Sequence, residues 1–289
     1  MLTWRLSSLQ TDSTQIGSRS RFMPEMTNLQ VREYLENGGT MVIVPVGSTE
    51  DHGDHGPLWT DVYIPLEVAK RAAAQLEALV GPPIPFGLAA DHRGAHGLVQ
   101  VRMDTFLELV RDVCVSLADV GFRRIVLLNG HYCNSHALEF ASSRIHDELP
   151  EGTRIYPFPY WAGLKPEEAE QYLSGSVGIH ANVGETSIVL AIDENLCDME
   201  RVRDFVPELP ELRTSALALI DPVFLATPGS FWSILEEGGG VWGKPSESTA
   251  EKGEEFLGWC TRAVVDFVHD LEDVHDRIEP GYLKTRPRR

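Results

Sequence analysis

Between residues 50 and 61 the chain reads EDHGDHGPLWTD, which places Glu50, His52, Asp54, His55 and Asp61 within one short stretch. Carboxylates and imidazoles gathered on one loop repel or strand one another unless a counter-ion joins them, and one or two divalent cations are the simplest such partner. Two more stretches bring matching groups: NGHYCNS supplies His131, and VGIHANVGE supplies His180 and Glu185. Mixed carboxylate and imidazole ligation suits Zn²⁺, Mn²⁺ or Fe²⁺, and one carboxylate can bridge two such ions. Ions paired roughly 3.5–4 Å apart polarise a carbonyl and generate hydroxide at neutral pH. The residue types therefore point to metal-assisted hydrolysis.

Something must bring these distant groups together. The apolar run MVIVPV (41–46) immediately precedes the first loop, and residues 125–128 run straight into the stretch holding His131. Short β-branched runs read as buried strands, and in a parallel sheet the carboxyl ends of the strands gather their loops at one edge. Helical patterns separate the strands. Residues 28–37 form a short amphipathic helix, and 63–79 carry Ile64, Val68, Ala72 and Leu76 on one face, leaving Asp61 at a loop-to-helix junction. A helix from Asp104 places Phe106, Leu109, Val110, Val113, Cys114 and Leu117 on one stripe, with Asp104 as cap and Gly121 beyond its end. Further helices are expected over 134–149 and 186–195, the latter opened by Glu185, and a strand over 154–161. Residues 80–88 read as extended, 91–99 as a Gly/His loop, 177–185 as a loop, and 200–247 as loop-rich. A last helix is expected to start at a capping box of Ser248 and Glu251. Neither repeats nor linkers divide the chain, so the expectation is one α/β domain over residues 26–276. Residues 1–25 read as a disordered extension, with Met23 and Met26 as alternative starts, and 277–289 as a loose basic tail.

Composition narrows the partners. Net charge is −18, which disfavours nucleic acid and anionic membranes. No apolar run approaches the ~18 residues of a membrane span, and the first 25 residues lack the apolar core of a secretory signal. The four cysteines are scattered without a disulfide framework, which fits a reduced cytoplasm.

Glu50-x-His52-Gly-x-His55 with Asp61 following, Asn129-Gly130-His131, His180 with Glu185-Thr186-Ser187, Val241-Trp242-Gly243 and Thr249-Ala250-Glu251-Lys252-Gly253 together resemble the creatininase (creatinine amidohydrolase) family, from about residue 27 to 272. The resemblance implies a three-layer αβα sandwich with a mostly parallel sheet, commonly assembled as a homohexamer. It implies two metals per chain, zinc foremost with manganese or iron as alternatives. One ion would be held by Glu50, Asp61 and His131, the other by His52 and Asp61, with Asp61 as the bridge. His180 would serve acid/base chemistry or substrate contact. The activities implied are opening of a cyclic or other small non-peptide amide by metal-bound hydroxide, or, in other members, deformylation or peptide trimming.

The departures fall around the substrate. Cys133 stands where the family places a glutamate ligand. That leaves three options: a thiolate ligand, a carboxylate supplied by Glu185, or a weak second site. Family pocket residues before the active histidine are replaced by Ser176, Val177 and Ile179, and a Phe-Pro-Gly-Thr segment becomes residues 97–100. Trp161 does match a pocket tryptophan. Creatinine itself is disfavoured. Tyr132 is expected as a pocket wall and His55 as an orienting neighbour of the ligands, while His92 and His96 receive no role. A metal-binding oligomeric scaffold without turnover is the alternative outside enzyme chemistry.

Overall fold

The computed structural model describes residues 20–174, 177–208 and 230–282. Four parallel strands form the central sheet: β1 (Met41–Val46), β2 (Leu79–Val80), β3 (Arg124–Asn129) and β4 (Arg154–Pro159), in the order β2-β1-β3-β4. Among the described residues, eight α-helices surround it: α1 (Asn28–Glu36), α2 (Thr60–Gln75), α3 (Met103–Asp119), α4 (Ser135–Ile145), α5 (Pro166–Tyr172), α6 (Val183–Ile192), α7 (Ser230–Gly238) and α8 (Ala250–Tyr282). A short antiparallel ribbon, β5 (Gly178–His180) with β6 (Trp242–Gly243), lies apart from the main sheet.

Strand periodicity divides the core into two layers. Met41, Ile43, Val126, Leu128, Tyr156 and Phe158 pack with α2, α6 and α8, while Val42, Val44, Val46, Ile125 and Leu127 pack with α3 and α4. Every residue of β1 is buried because helices cover both faces, so the strand reads as a continuous apolar run rather than an alternating one. This is the expected αβα sandwich.

The sheet order sets the place of the site. From β1 the chain crosses to β2 on one side and then to β3 on the other, so the direction reverses between β1 and β3, where ligands of open α/β sheets lie. The two strands end level, with Val46 opposite Asn129, and each is followed by a glycine. The first turn of α2 lies across these two ends. A Cβ on Gly47 would sit 2.3 Å from the carbonyl oxygen of Asp61, and one on Gly130 only 2.2 Å from it. Glycine at both positions is what lets Asp61 settle over the crevice.

Several sequence expectations change in detail. The helix expected over 63–79 starts at Thr60, so Asp61 lies in its first turn, and its end is cut short because Leu79–Val80 pairs with β1. Asp104 is not a cap: it lies inside α3, whose N-cap position is Arg102. The stretch expected as a loop over 177–185 contains β5, and α6 begins three residues earlier than expected, at Val183. The box of Ser248 and Glu251 does not form. Ser248 Oγ donates to the Val183 carbonyl instead, and Thr249 Oγ1 accepts the Lys252 amide. Residues 20–25 are not a loose extension, since the Val80 amide donates to the Arg21 carbonyl and Phe22 bridges to Val80. Helix α8 also continues past Arg277 to Tyr282. Residues 1–19, Ser176, 209–229 and 283–289, on which parts of those expectations fall, lie outside the described residues.

Candidate metal centre

Glu50, His52, Asp61, His131, His180 and Glu185 are all less than a tenth exposed and converge above the β1–β3 crevice. Asp61 faces both imidazoles: Oδ1 lies 3.2 Å from His52 Nε2 and Oδ2 lies 2.9 Å from His131 Nδ1. Glu50 Oε2 is 3.1 Å from the same His131 nitrogen. Donor atoms fall into groups within 4.8 Å of one another: Glu50, Asp61 and His131 form one, and His52, His180 and Glu185 another. Asp61 stands between them, as a bridging carboxylate must.

Backbone groups fix the rings. His131 Nε2 donates to the Leu88 carbonyl at 2.9 Å, and the Leu88 amide in turn donates to Asn134 Oδ1. With its proton on Nε2, neutral His131 turns the Nδ1 lone pair at two carboxylates. That arrangement is repulsive unless a cation lies between them. His180 donates from Nε2 to the Asp51 carbonyl at 2.7 Å, leaving its lone pair on Nδ1. Its neighbour Ala181 is left-handed, with φ of 46°, a conformation that costs a residue with a Cβ about 1–2 kcal/mol. Asn182 holds this corner by donating to the Tyr172 and Gly178 carbonyls while capping α6 through the Glu185 amide.

The site's own charge asks for cations. Burial alone would lower His52, but Asp61, Glu185 and Glu50 raise it to about 10. Burial acts the same way on His131, yet Glu50 and Asp61 hold it well above its ordinary value. Burial pushes Glu185 up to about 7. Glu50 would also be raised by burial, but His131 and His92 hold it well below the carboxylate range. Moreover Glu50 Oε2, His52 Nε2 and Glu185 Oε2 are buried without an aligned hydrogen bond. Buried polar atoms left this way are costly. Divalent ions in the two groups would satisfy all three, so these residues fit a metal pair.

The remaining expected residues fall in different places. Tyr132 and Trp161 line a cavity of about 780 Å³ that opens onto the donors, with Trp161 edge-on to buried Tyr160 at 4.9 Å. Cys133 lies at the cavity but joins neither donor group. Its thiol donates to Asp91 Oδ2 at 2.8 Å, and burial pushes it up to about 11, so it is held as a thiol. Of the three options for the second ion, the geometry therefore favours Glu185. His55 contacts Thr186 Oγ1 at 3.1 Å, the neighbour of Glu185, and so braces the start of α6 rather than a ligand directly. Sequence reading missed His92, which is buried with Nε2 3.2 Å from Glu50 Oε1. The signal was available: residues 81–88 continue past β2 at the same sheet edge, and His92 follows them as His52 follows β1 and His131 follows β3.

A family model described as "Creatininase: Creatinine amidohydrolase" matches residues 24–268. The chain belongs to the creatininase family. Its relatives include the creatinine amidohydrolase of Pseudomonas putida, 29% identical over 88% of this chain and 98% of the relative. The 3-dehydro-scyllo-inosose hydrolase of Thermotoga maritima is 27% identical over 91% and 86%. The mycofactocin precursor peptide peptidase of Mycolicibacterium smegmatis is 28% identical over 78% and 83%. Among solved structures, a creatininase mutant of the Zn-Zn type superposes with a TM-score of 0.70 at 28% identity, over 88% of this chain and 98% of that one. A manganese creatininase does so with 0.70 at 27%, over 87% and 98%. No helix among the described residues is long and apolar enough to cross a membrane.

Proposed function

We propose that this chain is a metal-dependent amidohydrolase that opens a cyclic or other small, non-peptide amide. The observation that carries the reading is Asp61, whose two oxygens face His52 and His131 from between two donor groups. Glu50, Asp61 and His131 would hold one ion, and His52, Asp61 and Glu185 the other. Zinc leads the candidates by the Zn-Zn relative, with manganese or iron as alternatives. When bound, such a pair supplies a nucleophile at neutral pH and an electrophile for the carbonyl oxygen.

The chain's own residues do the rest. Burial, then His52 and His92, hold His180 well below its ordinary value, so at neutral pH it is a neutral base with its lone pair on Nδ1. From there it takes the proton of the attacking water and returns it to the departing nitrogen, which leaves as the C–N bond breaks. Tyr132 and Trp161 form walls for a small substrate, and the cavity volume is that of a small-molecule site. Peptide trimming is the second reading, favoured by the likeness to the mycofactocin peptidase, with deformylation beside it by family resemblance alone. A panel of lactams, formamides and short peptides with Zn²⁺, Mn²⁺ or Fe²⁺ separates them. Homohexameric assembly and a cytoplasmic setting belong to the same reading, by family resemblance and from four cysteines without a disulfide. Light scattering tests the assembly.

The ligand assignment has a direct test. Asp61→Ala should strip both ions and lower turnover by at least about a thousandfold, roughly 4 kcal/mol of barrier. A folded variant with undiminished metal content and activity would refute it.

A further inference from the structure

One imidazole of the cluster holds no ion in that reading. His92 is 1% exposed, its Nε2 lies 3.2 Å from Glu50 Oε1, and its ring centroid is 4.8 Å from that of His180. Glu50 turns its other oxygen toward His131, so its two oxygens serve opposite sides. Ligating atoms of Glu50, His92 and His180 lie within 4.8 Å of one another, a third group beside the two already described. The three residues are at least nine-tenths buried and come from three segments, and two imidazoles with one carboxylate is a divalent-cation donor set.

We propose that Glu50 Oε1, His92 Nε2 and His180 Nδ1 form a further, weaker seat for a divalent transition metal, filled only when the metal is in excess. The inference rests on the two-ion reading above. Two features make the seat weak. Glu50 is shared with the first ion, and like charges a few ångströms away repel even under protein screening. The seat also competes with proton transfer, because an ion there uses the lone pair that His180 otherwise offers to the proton of the attacking water. Excess metal therefore acts on the proton-handling residue through a seat that shares only Glu50 with the first ion.

Zinc alone is the probe. Protein loaded with two ions is titrated with Zn²⁺ under equilibrium dialysis, and bound metal is counted by mass spectrometry. In parallel, long-range ¹H–¹⁵N spectra follow the imidazoles of the unmutated protein. The expected result is a third ion bound at least roughly tenfold more weakly than the second, accompanied by a shift of the His92 Nε2 resonance. His92→Gln should keep two tight ions and lose the third, and His92→Asn provides the same comparison should the first variant fold poorly. Saturation at two ions with no movement of the His92 resonance overturns the proposal and leaves the two-ion reading intact. A third ion bound equally by wild type and both variants also overturns it. Fewer than two tight ions in the wild-type protein would refute both readings together.

Discussion

His52 and His131 need positive charge, and they can obtain it from protons or from metal. Without metal, His52 is raised to about 10 and His131 well above its ordinary 6.5, so both rings carry a proton at neutral pH. Loading the metal-free protein near pH 7.5 should then release roughly two protons, with part of another from Glu185, raised to about 7. Calorimetric titration in buffers of different ionisation enthalpy measures this directly; a buffer-independent heat would contradict it. The sign for stability follows. A folded-state value above the unfolded 6.5 stabilises the metal-free protein fully below pH 6.5, and this contribution disappears as pH rises through about 10. At this scale the sequence was legible where a histidine or carboxylate fell inside a dense motif, as at Glu50, His52 and Asp61. It was not legible at the Leu88 and Asp51 carbonyls that orient His131 and His180, because a backbone group has no signature in the residue type.

The elements hold these side chains through close backbone approach. Gly130 admits the first turn of α2 against the end of β3, and an added Cβ would lie 2.2 Å from the Asp61 carbonyl oxygen, a backbone atom with no rotamer to give. Gly130→Ala should therefore cost about 2–4 kcal/mol and weaken metal binding by roughly 10–100-fold through displacement of Asp61. Gly152 is the control: its φ is +79°, but a Cβ there meets nothing within 4 Å. Gly152→Ala should cost about 1 kcal/mol of backbone strain and leave metal affinity alone. Urea unfolding and metal competition on both variants check the pair. The main strands and α3 were readable because their apolar runs and stripes are long. The end of α2 and the β5–β6 ribbon were not, since pairing with a distant partner decides them: β2 truncates α2, and Trp242–Gly243 turns an apparent loop into a strand.

At the scale of the whole molecule, the proposed ligands tie distant parts of the chain together. Residues 50–61, 131 and 180–185 meet only when β1, β3 and the start of α6 are assembled, so ions bind the folded state and not the unfolded chain. Metal held at a hundred times its dissociation constant adds about 2.7 kcal/mol, and for a domain of this size its removal should lower the melting temperature by roughly 5–10 °C. Scanning calorimetry with and without a chelator tests this, and an unchanged melting temperature would argue against a metal pair. The α/β class was legible because strand and helix patterns alternate along the chain, whereas the three-layer arrangement followed from the family resemblance. The fit of one layer against the next was not, because it depends on pairs such as Gly253, where a Cβ would lie 1.9 Å from the Ser187 carbonyl oxygen between α8 and α6.

The cavity has a division of labour that matters for how such a protein can change. Much of its wall, including Trp161, Leu164, Leu173 and Val206, lies on segments other than those that carry Glu50, Asp61 and His131. Inheritance can therefore rewrite the wall while the ligand frame stays under separate constraint. Laboratory evolution confined to those four positions should move the chain between substrates without first passing through variants that have lost their ions.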